Sequence, residues 1–228
     1  MFIGHFAVGF ASKRIAPRAS LAPLIAAPLF LDLLWPVFLL LGIEQVRINP
    51  PGSNPFLSAT FTSYPWSHSL VMSLVWAALF GGTYYGLTRY TRGAWVTGLA
   101  VASHWVLDWI THLPDLPLVP GAAAVAGLGL WRSPTATLVV EVALFLGGVW
   151  LYSSGTAARD GIGRFGWWAL VALCAAAYAG SLSGATPPSV SALAWTAIAG
   201  SVVFICFSWW ADRHRTAKGQ AAQSRGLA

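Results

Sequence analysis

Residues 94–112 read AWVTGLAVASHWVLDWITH. The run is long enough to cross a bilayer core, which takes about 20 apolar residues. Inside it, His104, Asp108 and His112 recur four residues apart. At about 3.6 residues per turn, positions i, i+4 and i+8 form one drifting stripe on a helix. Ionisable groups at membrane depth are costly, so such a stripe marks a functional site until shown otherwise. The fold and the function of the chain both turn on what else faces it.

Composition supports a membrane setting for the run. Of 228 residues, 57% are hydrophobic and only 9% charged, with a mean hydropathy of +0.65. A soluble domain of this length needs a larger charged fraction to cover its surface. The formal charge of +6 would suit nucleic acid, but the Lys and Arg residues lie scattered at the ends of apolar runs. That pattern fits membrane flanks and argues against a groove-tracking patch. Many of the 13 Trp residues fall near the ends of those runs, where amphipathic rings anchor at the interface. Cys174 and Cys206 sit in separate apolar runs without CxxC spacing, so no disulfide framework or thiolate zinc site is expected. No signal peptide is expected either, because Lys13 and Arg14 follow the first apolar stretch instead of preceding it.

Apolar runs near 20–43, 66–88, 94–112, 134–154, 165–184 and 190–211 predict six transmembrane helices in an all-α polytopic membrane protein. Residues 2–12 are too short to cross alone and predict a half-inserted or packed helix, with Gly4, Ala7, Gly9 and Ala11 allowing close approach. Threading six spans in order puts eleven basic residues on one side and only Arg47 and Arg132 on the other. Both termini are therefore expected in the cytoplasm. The long connections 44–65 and 113–133 fall on the opposite side, where loops of this length often act as lids or binding loops. Residues 1–215 read as a single membrane domain and 216–228 as a disordered, polar cytoplasmic tail.

So few ionisable groups are present that each can be placed. Asp32, Asp108 and Glu141 lie inside apolar runs, whereas Glu44, Asp115, Asp160 and Asp212 fall at helix ends or in loops and read as surface or capping groups. His214, in DRHR, reads as a solvated flank. Counted at about 1.5 Å per residue from the cytoplasmic end, His5 reaches about 12 Å, His104 about 17 Å, Asp32 about 18 Å, Glu141 about 20 Å and Asp108 about 23 Å. Five groups from four helices thus gather near one level, while His68 and His112 fall at the outer ends of their helices.

Such a cluster has three readings. It can hold a divalent metal, Zn²⁺ or else Mn²⁺ or Fe²⁺, on imidazole and carboxylate ligands with a position left for water. It can relay protons or ions in a transporter or permease. Or it can glue helices together in a non-catalytic scaffold. No repeat symmetry supports the transporter. Around His68, in SYPWSHSL, the serines read as helix caps, and adjacency of Ser67 or Ser69 to a histidine does not establish a nucleophile pair.

At these residues the chain resembles a family of bacterial inner-membrane metal-dependent hydrolases. The matching pieces are IGHFAVGFASK near the start, LFLDLLWP, the THS-like WSHSL, and HWVLDWIT, an H-x-x-x-D helix followed by threonine. They cover about the first half of the chain. The resemblance implies that His5, Asp32, His68, His104 and Asp108 are the metal ligands, and that the site sits in a multi-pass bacterial inner-membrane protein. Where the family's common pattern has a histidine and an arginine ahead of the THS histidine, this chain has Ser63 and Tyr64, and the threonine is Ser67. Combined with the membrane depth, it leads to a metal-dependent hydrolase in which Asp108 and Glu141 are catalytic, with Glu141 or an unliganded carboxylate as general base. The partners expected are membrane lipids and an amphiphilic substrate, such as a lipid or a lipid-linked phosphate ester, and no nucleic acid.

Overall fold

The structure is a computed structural model describing residues 1–50, 52 and 54–218. Among these residues the chain forms nine α-helices and three short two-stranded antiparallel ribbons. Four helices are long and apolar enough to cross a membrane: α5 (Leu70–Thr88), α7 (Pro134–Gly155), α8 (Gly161–Ser181) and α9 (Val190–Arg213). Their large apolar side chains face outward, as Trp195 of α9 does at 62% exposure. The helix α6 (Thr91–Thr111) has comparable length, 21 residues, but its Thr, Ser, His and Asp residues keep it outside that apolar set.

The single span expected over 20–43 is instead two shorter helices, α2 (Leu21–Ala26) and α3 (Phe30–Leu40). Pro28 lies in the break, and a proline cannot donate to the helix ladder. The break is tolerated because it is buried in protein, with Ala27 and Leu29 almost wholly covered. The expected span 66–88 also loses its first turn. There, α4 (Pro65–His68) is a separate turn that ends where Ser69 becomes extended, and the Ser69 side chain accepts from the Met72 amide to cap α5.

At the centre runs α1 (Ile3–Ile15), buried along His5, Phe6 and Phe10 and packed chiefly on α7. Close approach is what its small residues supply: a Cβ on Gly148 of α7 would lie 2.6 Å from the Cα of Ala7, and one on Gly9 would lie 2.7 Å from the Leu24 carbonyl. The α5–α6 hairpin uses the same device at Gly81 and Gly98.

The two ends of the bundle differ. At one end the loop 44–65 folds as a ribbon of β1 (Gln45–Ile48) and β2 (Ala59–Ser63), and Asn54 Nδ2 donates to the Trp131 carbonyl of the loop 113–133 at 2.7 Å. In the latter loop β3 (Leu116–Pro117) pairs with β4 (Val125–Ala126). At the other end β5 (Thr156–Ala158) pairs with β6 (Arg215–Ala217). The stretch from 216 was expected to be disordered, but Thr216 and Ala217 are strand residues; 219–228 lie outside the described residues. Also at this end, Lys13 Nζ meets Asp212 Oδ2 at 2.7 Å, while Asp212 further accepts from Tyr152 Oη (2.7 Å) and the Leu21 amide (3.0 Å). Asp212 was expected to be a surface or capping group; here it forms with Lys13 a buried tie among α1, α2, α7 and α9.

Candidate metal centre

His104 and Asp108 lie one turn apart on the buried face of α6, which brings His104 Nε2 to 3.0 Å from Asp108 Oδ2. The break between α2 and α3 orients the imidazole. His104 Nδ1 lies 2.7 Å from the carbonyl oxygen of Pro28, which no helix bond uses. A carbonyl only accepts, so Nδ1 carries a hydrogen, and in the neutral ring Nε2 offers its lone pair to the interior. The same break places Asp32 in the first turn of α3.

Four atoms from three segments then converge. Around His68 Nε2 stand His104 Nε2 at 3.2 Å, Asp32 Oδ1 at 3.5 Å and Asp108 Oδ2 at 3.8 Å, and His104 Nε2 lies 3.8 Å from Asp32 Oδ1. Tetrahedral coordination with bonds of about 2.0–2.2 Å puts ligand atoms about 3.3–3.6 Å apart. The observed separations bracket that edge. Two triads meet the geometry of a shared ion, His68 with His104 and Asp108, and His5 with Asp32 and His104, and they have His104 in common. These His and Asp side chains can therefore hold a metal ion by geometry. The side chains of His68, His104 and Asp108 are nearly inaccessible, whereas Asp32 is 39% exposed, so the group opens on the Asp32 side.

The remaining expected residues surround this set. His5 stacks on His104 with ring centroids 3.9 Å apart, and its Nε2 lies 3.2 Å from Asp108 Oδ1. Its buried Nδ1 has no hydrogen-bond partner among the described residues, an orphaned donor or acceptor that a bound group would explain. The Met1 amino group also donates to Asp108 Oδ1, at 2.5 Å. Glu141 stands beside the cluster, and its Oε2 accepts from the amides of Phe2 (2.8 Å) and Gly4 (3.3 Å) at the start of α1. His112 is not on the helical stripe; it is the extended residue after α6. Its ring still reaches inward, with Nε2 3.7 Å from Asp108 Oδ2 and Nδ1 3.1 Å from Asp115 Oδ1.

Tyr64 is buried, and its hydroxyl donates to Asp115 at 3.0 Å. Burial, reinforced by the Asp115 carboxylate, holds its phenol far above the ordinary range. At position 64 the chain thus has a neutral hydroxyl that steadies His112 and Asp115.

A cavity of about 270 Å³ opens onto the cluster, with Asp32, His68, Asp108, His112 and Glu141 at its base and Trp35, Phe56, Phe61, Trp131 and Tyr178 among its walls. No Lys or Arg side chain is among its lining residues. A larger groove of about 510 Å³ lies between α5 and α6. Its lining carries no ionisable group apart from the Tyr85 phenol, so it offers apolar surface and not chemistry.

Two contributors escaped the sequence reading. Glu44 is not a surface group but is 2% exposed, and it bonds Ser67 and the amides that open α4. Pro28 orients His104. Three prolines inside one expected span (Pro23, Pro28, Pro36) were a readable sign of a break, but nothing local to Glu44 names its partner. Ser67 is fully buried, bonds Glu44 and His68, and does not line the cavity, so it is not placed to attack a substrate.

No protein-family model, curated protein or solved structure matches this chain.

Proposed function

We propose that this chain is a multi-pass, membrane-embedded, metal-dependent hydrolase of the bacterial inner-membrane kind it resembles. In this reading six segments span the bilayer, both termini are cytoplasmic, and the cavity opens toward the outer leaflet. His5, Asp32, His68, His104 and Asp108 hold the ion or ions, Zn²⁺ or else Mn²⁺ or Fe²⁺. The observation that carries it is the packing of His68 Nε2, His104 Nε2 and Asp108 Oδ2 at mutual separations of 3.0–3.8 Å, with Asp32 Oδ1 3.5 and 3.8 Å from the two imidazoles. Imidazole and carboxylate donors without thiolate suit these ions, and one exposed ligand suits a catalytic rather than a closed structural site.

A bound divalent ion supplies Lewis acidity, activating water and polarising the scissile group. The chain's own groups do the rest. Glu141, at the cavity base, accepts a proton from the attacking water, and its hydrogen bonds from the α1 amides fix its position. Aromatic walls bind and orient the apolar part of an amphiphilic substrate and limit water. Apart from the Met1 amino group, which Asp108 already holds, a phosphate ester would meet no cationic group along this lining, so its charge would be met chiefly by the ion.

Metal analysis of detergent-purified protein, prepared without chelators, tests the reading. Wild type should carry a transition metal, and His104→Ala and Asp108→Ala should lose it. A wild-type protein free of transition metal overturns the proposal and leaves the transporter or scaffold readings, which need none.

A further inference from the structure

We infer that Glu44, acting through Ser67, is a positioning residue that sets the His68 tautomer so that Nε2 is free to take a cation. This rests on the reading of the cluster as a metal site and adds a residue outside the ligand set.

Glu44 follows α3 and precedes β1, and Ser67 and His68 lie in the single turn α4. Glu44 Oε1 accepts from the amides of Trp66 and Ser67, both at 2.8 Å, and Oε2 accepts from Ser67 Oγ at 2.6 Å. That last distance is typical of a hydroxyl on a carboxylate. A hydroxyl has one hydrogen. Once it is given to Glu44, the Ser67 oxygen can only accept from His68 Nδ1, which lies 2.7 Å away. His68 Nδ1 is then the protonated nitrogen, and Nε2 bears the lone pair.

The consequence appears at the centre of the cluster. Pro28 imposes the same tautomer on His104, so the two Nε2 atoms stand 3.2 Å apart with no hydrogen between them when both rings are neutral. Two lone pairs at that distance repel each other unless a cation lies between them. The opposite arrangement, with Ser67 donating to His68, would put an N–H on His68 Nε2 and close the site with a His–His hydrogen bond. It would also set the Glu44 and Ser67 oxygens 2.6 Å apart with no hydrogen between them. The carboxylate thus decides whether the site faces inward as a ligand or as a donor. Outer-shell partners of this kind are typically worth about 10–100-fold in metal affinity.

Glu44→Gln has the right shape for a test. Its amide oxygen can still accept from Trp66 and Ser67, while its NH₂ donates to Ser67 and reverses the relay. Zn²⁺ affinity should be measured by competition titration on detergent-purified full chain. Wild type should bind, with Glu44→Gln and Ser67→Ala about 10–100-fold weaker and Ser67→Thr close to wild type. In parallel, ¹⁵N-histidine NMR of metal-free protein should show His68 with hydrogen on Nδ1 in wild type and on Nε2 in Glu44→Gln. Wild-type affinity in Glu44→Gln, or hydrogen on Nε2 of His68 in wild type, overturns the inference while leaving the metal site standing. If wild type binds no metal, the metal reading fails instead, and the tautomer signal still decides the relay. It needs no variant to fold.

Discussion

Asp32 is the ligand with the least structural work to do. It is half-exposed at the cavity, whereas His104 is fully buried and holds the Pro28 carbonyl. The two should separate on substitution. Asp32→Asn should keep its thermal stability close to wild type and lose at least about tenfold in Zn²⁺ affinity, since even outer-shell changes cost that much. His104→Ala should lose metal and stability together, because a buried carbonyl left without its donor costs about 1–3 kcal/mol; paired metal titration and thermal unfolding in detergent would check both. His5, Asp32, His104 and Asp108 were legible in the sequence because ionisable side chains inside apolar runs are few and each is too costly to be incidental, whereas His68, at the outer end of its run, entered only through the resemblance of WSHSL. Glu44 was not legible. It ends an apolar run as many capping acids do, and only the fold brings it against Ser67, 23 positions away.

Among the elements, α1 has the most demanding position, because it carries His5 into the cluster yet is too short to anchor itself across a bilayer. Its anchor is Lys13, whose ammonium is held by Asp212 and by the Ala19 carbonyl at 2.8 Å. Removing one partner of a buried pair leaves the other uncompensated, at a cost of about 3–5 kcal/mol. Lys13→Ala should therefore lower thermal stability in detergent by that amount, and a loss under about 1 kcal/mol would show the pair to be a surface contact. A second tie is titratable. Asp160 caps α8 through the Gly163 amide and accepts from His214 Nδ1 at 2.7 Å; first His214 and then that amide hold its carboxyl below the ordinary value. A carboxyl lowered by folding stabilises above its unfolded pKa of about 3.9, and that contribution is lost as pH falls through the folded value. The melting-temperature gap between wild type and Asp160→Ala should accordingly be fully open at about pH 5 and narrow as the pH falls below about 4. Helix boundaries from α7 onward were readable to within a few residues, because one apolar run made one helix there. The span over 20–43 misled because its hydropathy is continuous while its backbone, broken at Pro28, is not.

For the whole molecule, the two ends of the bundle are chemically unlike. One carries the ribbon loops that roof the cavity, with Arg47 and Arg132 as its basic residues, and the other gathers Arg14, Arg164 and Arg215 about the β5–β6 ribbon. Basic flanks are retained on the cytoplasmic side, so the cavity should face away from the cytoplasm and its substrate should reach it from the outer leaflet. Two exposed positions at opposite ends report this directly: Ala122 in the loop 113–133, and Arg164 in the first turn of α8. In a background lacking Cys174 and Cys206, Ala122→Cys should react with a membrane-impermeant maleimide on intact cells, and Arg164→Cys only after permeabilisation. The reverse pattern would put the site on the cytoplasmic side and replace the outer-leaflet substrate with an inner one. Labelling of both positions from outside would place α7, which joins the two ends, on a path that does not cross the bilayer, and would overturn the six-span topology.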